Sequence, residues 1–149
     1  NTEKTNLTEV MEELFEIATQ LGASKKLEVV KRVEKNVYVT GKRDKISRAL
    51  LNLVDNAIKY TAKGTISLSL HTTNNEAILG VKDTGEGVAE GDLPHIFDRF
   101  YRGKKSHRVD GTGLGLAIAN SIISAYQGTL SVKNNESKGT TFTISLPIK

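Results

Sequence analysis

The sequence contains no cysteine, and that one absence removes disulfides, thiolate zinc sites and cysteine nucleophiles together. It fits a reducing compartment without requiring one. Proline occurs only twice in 149 residues and no low-complexity run interrupts the chain; with 38% apolar and 26% charged residues it reads as globular and not disordered. No apolar stretch approaches the ~20 residues of a membrane span, and no charged-then-apolar signal segment opens the chain. The first residue is Asn1 and not Met, which suggests a piece of a longer protein. An excess of 21 Lys+Arg over 17 Asp+Glu is small and describes a solvated surface more than a nucleic-acid binder. What remains is a chain of one domain's length, long enough to bury a core unaided.

After a polar lead of six residues, expected to be a linker remnant ahead of a domain over 7–149, Leu7, Val10, Met11, Leu14, Ile17, Ala18 and Leu21 recur at helical spacing. Asn6 and Glu9 form a capping-box pair at the start, and Gly22 ends the helix. Leu27–Val33 and Val37–Thr40 alternate around Glu34-Lys35-Asn36 and suggest a short hairpin. The strongest helix spans Asp44–Tyr60, with Ile46, Ala49, Leu50, Leu53 and Ala57 on one stripe. Ile66–Leu70 and Ala77–Lys82 read as an antiparallel pair about Asn74-Asn75. Leu114–Gln127 is helical and ended by Gly128, and two closing strands flank an Asn134-Asn135 turn. Because the strands come in pairs and not one per helix, the expected fold is α+β: a two-layer sandwich with a mixed, mostly antiparallel sheet covered on one face by three helices.

Three segments carry chemistry. On the Asp44–Tyr60 helix, Asn52, Asn56 and Lys59 fall within about 60° of one another at 100° per residue. A carboxamide oxygen is a hard neutral ligand that suits magnesium, whose shell phosphates and water complete, and Lys59 can reach a phosphate; taken alone, all three also fit ordinary solvated positions. Asp83-Thr84-Gly85-Glu86-Gly87 ends a strand, where a fixed carboxylate can accept from the exocyclic amine of adenine; it is equally common loop chemistry. Gly111-Thr112-Gly113-Leu114-Gly115-Leu116 opens a helix and offers backbone N–H groups to phosphates. It lacks the Lys-Ser/Thr of a P-loop and the spacing of a dinucleotide turn, and a lone run of this kind is often a linker. Between the last two lie Phe97, Phe100 and Tyr101, then Arg102, Lys104, Lys105, His107 and Arg108: aromatic roots and a basic flap, readable as a lid over a triphosphate or as a solvated loop.

In this order and spacing, Asn52-Leu-Val-Asp-Asn56-Ala-Ile-Lys59-Tyr60-Thr61, Asp83-Thr-Gly85-Glu-Gly87, Phe97-Asp-Arg-Phe100-Tyr101-Arg102 and Gly111-Thr-Gly113-Leu-Gly115-Leu closely resemble the catalytic ATP-binding domain of sensor histidine kinases. The resemblance runs from about Leu7 to Lys149, including Gly139-Thr140-Thr141-Phe142. It implies the Bergerat fold shared with DNA gyrase, mismatch-repair ATPases and heat-shock chaperones, with ATP and Mg2+ as cofactors. Carried over by position, Asn56 ligates magnesium, Asn52 and Lys59 assist at the phosphates, Tyr60 lines the pocket and Asp83 binds adenine. Gly85 and Gly87 shape the base pocket. Phe100, Tyr101 and Arg102 approach the nucleotide, Gly111 to Leu116 form the phosphate side, and Thr140 contacts the base-bound water network.

ATPase relatives place a Glu where this chain has Asn52, which cannot act as a base, so weak hydrolysis is expected. In the family the sequence resembles, the nucleophile is a histidine on a separate helical dimerisation domain. His71, His95 and His107 lack its His-Glu/Asp helical context and are expected to be surface residues. The implied partners are that domain of the same parent protein and a response regulator, with no nucleic acid. The fragment is expected to be monomeric and cytoplasmic, and the parent a membrane-anchored homodimer. Rival readings are a hydrolytic ATPase of the same fold, a degenerate binding module and a salt-sensitive nucleic-acid binder. Thr84, Val88 and Ala89 depart from the family's usual residues at positions with no evident chemical role.

Overall fold

The computed structural model describes residues 3–101 and 114–148. Among the described residues, seven strands and three α-helices follow one another as β1 (Lys4–Asn6), α1 (Leu7–Gly22), β2 (Glu28–Val33), β3 (Tyr38–Thr40), α2 (Arg43–Lys59), β4 (Thr65–Thr73), β5 (Glu76–Asp83), α3 (Gly115–Ala125), β6 (Thr129–Asn134) and β7 (Thr140–Pro147). Five strands form the main sheet in the order β2-β4-β5-β7-β6, antiparallel throughout except for the parallel β2–β4 pair. That parallel pair needs a crossover, and α2 lies within it. Alternate residues of the central strands, such as Leu68, Leu79 and Phe142, are buried beneath Leu7 and Met11 of α1, Ile46 and Leu50 of α2 and Ile123 of α3. The two-layer α+β reading therefore holds. Among the described residues no helix is long and apolar enough to cross a membrane.

α1 begins where the sequence places it, with the Asn6 side chain accepting from the Glu9 amide at 3.2 Å. The Glu9 carboxylate turns instead to Arg43 at 3.1 Å, and Glu13 reaches the same guanidinium at 2.9 Å, so the first residue of α2 ties the two helices together. These carboxylates raise the Arg43 pKa, the Glu13 hydrogen bond first, although the pairs are too exposed to contribute more than about 1 kcal/mol.

The expected hairpin of residues 27–40 does not form. β2 pairs with β4, and β3 pairs with β1 in a separate two-stranded sheet. The first turn of α1 is the cause: Thr8 Oγ1 donates to the Glu34 carbonyl at 2.8 Å and accepts from the Val37 amide at 3.2 Å, while the Leu7 amide donates to the Val37 carbonyl at 2.7 Å. Those are the backbone groups a tight hairpin would have closed on itself. The polar lead, expected to be linker, supplies β1, and Thr5 is buried with its hydroxyl on the Gly41 carbonyl at 2.6 Å.

Candidate functional site

The C-terminal ends of α2 and β5 meet the N-terminal end of β7. Asp83, the last residue of β5, is fully buried, and its Oδ1 accepts from the amides of Gly85 at 3.0 Å and Thr140 at 3.3 Å. Two N–H donors converging on one oxygen fix the carboxylate plane. Gly85 is demanded by space. A Cβ there would strike the Tyr60 carbonyl oxygen and lie 2.6 Å from Thr61 Oγ1 and 2.9 Å from Thr61 Cα. The Glu86 amide donates to the same Tyr60 carbonyl at 3.2 Å. Thr61, also fully buried, closes its hydroxyl onto the Ala57 carbonyl at 2.7 Å, so the turn after α2 is seated on the helix that precedes it.

Side chains without a role in the sequence reading hold this cluster. Asn134, expected in a turn, ends β6 opposite Thr140. Its Oδ1 accepts from the Val88 amide at 2.8 Å and its Nδ2 donates to the Val88 carbonyl at 2.7 Å, imitating a neighbouring strand. A Cβ on Gly87 would sit 2.8 Å from Asn134 Oδ1 and press on the side chain that holds Val88. Asn135 Nδ2 donates to the Asp83 carbonyl at 2.9 Å. Thr84 acquires a purpose too, its Oγ1 accepting from the Thr65 amide at 3.0 Å where β4 begins. Val88 is buried in the core, and the Ala89 carbonyl accepts from the Asp92 amide at 2.8 Å to start the next turn.

On α2, Asn52 and Asn56 are partly buried one turn apart and Lys59 is exposed, its Nζ 5.6 Å from the centre of the Tyr60 ring. Asn52 Nδ2 donates to the Gly115 carbonyl at 3.0 Å, which fastens the first residue of α3 to this face. A Cβ on Gly115 would meet nothing within 4 Å, so neither packing nor φ requires glycine there. Leu114 and Leu116 flank it, both partly buried, with Leu116 against the core. Among the described residues no group of three or more His, Asp or Glu could hold a metal ion by itself. Arg102, Gly111, Thr112 and Gly113, with Lys104, Lys105, His107 and Arg108, lie outside the described residues.

The three aromatics expected to root the basic segment diverge. Phe97 turns inward, its ring 6.2 Å from that of Phe142. Phe100 turns outward, 63% exposed and in left-handed backbone at φ 63°. Tyr101 is pinned: its hydroxyl donates to Oδ1 of the buried Asp92 at 2.6 Å, and its ring stacks on His95. The bond to Asp92 is the main reason the phenol pKa lies above its ordinary value. The protonated phenol is thus the form that the fold favours. Its contribution is complete below about pH 10 and disappears as pH rises through the raised value. Tyr101→Phe should melt about 2–4 °C lower at neutral pH and lose the wild type's extra destabilisation above pH 10, read by thermal scans at both pH values.

His71 and His95 are both exposed, as expected of surface histidines, and His95 Nδ1 is 3.1 Å from Asp98. With this geometry in view, the family description "Histidine kinase-, DNA gyrase B-, and HSP90-like ATPase" matches residues 41–149, well over half the chain. The chain belongs to this ATPase family. Within it, the similarity is to sensor histidine kinases: 44% identity over 115 residues to RppB of a Synechocystis species and 39% over 121 residues to WalK of Bacillus subtilis. Those stretches cover 75% and 78% of this chain but only 25% and 20% of the relatives, so this ATPase-family domain spans about a quarter of their length or less. The solved structure of the mycobacterial sensor histidine kinase MprB superimposes with a TM-score of 0.85 at 28% identity, covering 99% of this chain and 97% of that one. This ATPase-family domain thus has the fold of a histidine kinase catalytic domain.

Proposed function

We propose that this chain is the Mg-ATP-binding catalytic domain of a two-component sensor histidine kinase. The observation that carries the reading is the buried Asp83 carboxylate, held by two backbone amides against the turn that ends α2 and carries Lys59 and Tyr60. A rigid acceptor at the end of a strand suits the exocyclic amine of adenine, with Gly85, Gly87 and Thr140 shaping its surroundings and Tyr60 at its border. The phosphates then extend along the Asn52–Asn56–Lys59 face toward the start of α3.

The donor set fits magnesium. Asn56 offers one hard neutral oxygen, and an ion that takes most of its shell from phosphate and water needs no protein cage. When bound, Mg2+ supplies charge neutralisation at the triphosphate. The chain's own residues bind and orient: Lys59 places an ammonium at the phosphates, and Asn52, already donating to the Gly115 carbonyl, keeps α3 against them. Asn52 cannot take a proton from water, so the acceptor is not water but an imidazole brought by the dimerisation domain of the same parent. Its nitrogen attacks the γ-phosphorus as the bond to the ADP oxygen breaks, and a response-regulator aspartate receives the group afterwards. The parent is a homodimer anchored to a membrane, with this domain in the cytoplasm.

The test is a labelling experiment with γ-labelled Mg-ATP. The chain alone should remain unlabelled on His71, His95 and His107 and release phosphate slowly. Mixed with the histidine-bearing dimerisation domain of its parent, it should transfer label to that histidine. Labelling of the isolated chain would overturn the reading, and rapid phosphate release would favour a hydrolytic ATPase.

A further inference from the structure

Lys25 stands outside every motif, yet its ammonium donates to three backbone carbonyls at the end of α2: Ile58 at 2.8 Å, Lys59 at 3.0 Å and Thr61 at 3.4 Å. Its own backbone is fixed. A 3-10 turn over Ala23–Lys25 is closed by the Lys26 amide on the Ala23 carbonyl at 3.0 Å and the Leu27 amide on the Gly22 carbonyl at 3.1 Å, with Lys26 left-handed at φ 58°. The last carbonyls of a helix have no intrahelical donors and carry the negative end of its dipole, so a cation with several N–H bonds answers both needs. The turn it grips presents Lys59 and Tyr60, and the Tyr60 carbonyl in turn accepts from the Glu86 amide beside Gly85. Lys25, Lys59, Tyr60, Gly85 and Glu86 all line one cleft.

We infer that Lys25 is a positioning residue for the base side of the nucleotide site, acting through the Lys59–Tyr60–Thr61 turn and not by contact with phosphate. This rests on the nucleotide-binding reading above. Because a cation at a phosphate and a cation at a helix end have different consequences, binding can separate them. A phosphate contact matters for ATP and not for adenosine; a misplaced base pocket weakens adenosine as well.

Lys25→Met and Lys25→Arg are compared with wild type by calorimetric titration of adenosine and Mg-ATP, and by amide hydrogen exchange without ligand. Lys25→Met should weaken adenosine about three- to tenfold and Mg-ATP at least as much, because the same turn carries Lys59, and Lys25→Arg should recover most of it. In the ligand-free protein, the Tyr60, Thr61 and Glu86 amides should exchange about tenfold faster in Lys25→Met, while the amides of β5 and β7 keep wild-type rates. Unchanged exchange at those three amides overturns the inference, as does a loss for Mg-ATP with adenosine unaffected. A wild-type chain that binds neither ligand would sink the nucleotide reading instead, and the exchange rates would still decide whether Lys25 holds the turn.

Discussion

Asp83→Asn should abolish the thermal response to nucleotide while leaving the ligand-free protein close to its wild-type melting temperature. The asparagine keeps one carbonyl oxygen, enough to accept from the Gly85 and Thr140 amides that now converge on Oδ1. In the proposed nucleotide site the other oxygen, which would accept from the base, becomes an NH2 group, and a donor meets the exocyclic amine, itself a donor. At Mg-ATP a hundredfold above its Kd, the wild type gains about 2.7 kcal/mol. For a domain of this size that is a rise of about 5–10 °C. The variant should rise by less than about 2 °C, and its own melting point should fall by no more than about 3 °C. An equal rise in both proteins would remove Asp83 from the base pocket. No rise in either would point to a degenerate site.

The same side chain explains why part of the site was visible in the sequence and part was not. Asp83 is legible because it follows a clean alternating strand and precedes two glycines, and Asn52, Asn56 and Lys59 are legible because helical spacing alone puts them on one face. Their supports come from distant parts of the chain. Lys25 caps a helix whose end lies more than thirty positions away, and nothing local distinguishes it from any exposed lysine. Asn-Asn occurs twice. At 74–75 both residues adopt positive φ, 50° and 65°, and make the tight turn between β4 and β5 that the pair suggests. At 134–135 the first residue stays in its strand, and the two side chains reach the backbone of Val88 and Asp83. Local turn chemistry is identical, and only the segment packed alongside selects between the outcomes.

Glycine shows the same limit. Gly128 is expected to end α3, but the left-handed residue there is Gln127 at φ 65°. Gly128 is needed because a Cβ would lie 2.5 Å from the Ser145 carbonyl oxygen and 2.7 Å from Leu146 Cδ2. Likewise the 27–40 region has an alternation that suits a hairpin as well as it suits two strands in different sheets. Thr8, nearly thirty residues from Val37, decides it.

Gly139→Ala should produce the largest loss of stability of any single methyl added at the site. Gly139 combines left-handed backbone at φ 91° with no room: a Cβ would strike the Asp83 carbonyl oxygen and lie 2.7 Å from the Asp83 carbonyl carbon and 2.8 Å from Thr84 Cα. Those neighbours are backbone and cannot rotate aside, so the β6–β7 connection must lift away from the end of β5. That movement would also break the bond from Asn135 Nδ2 to the Asp83 carbonyl, 2.9 Å, and pull on the Thr140 amide that holds the Asp83 carboxylate. Steric and conformational costs together come to about 3–5 kcal/mol, a fall of about 10 °C or more. Nucleotide stabilisation should disappear with it, because the Asp83 oxygen loses the Thr140 amide. Gly115→Ala is the control: in a helix, with nothing within 4 Å of the added carbon, it should leave the ligand-free melting point unchanged or raise it slightly. A Gly139→Ala protein melting within 2 °C of wild type would show that the connection yields easily, and that the Thr140 amide is not needed to hold Asp83.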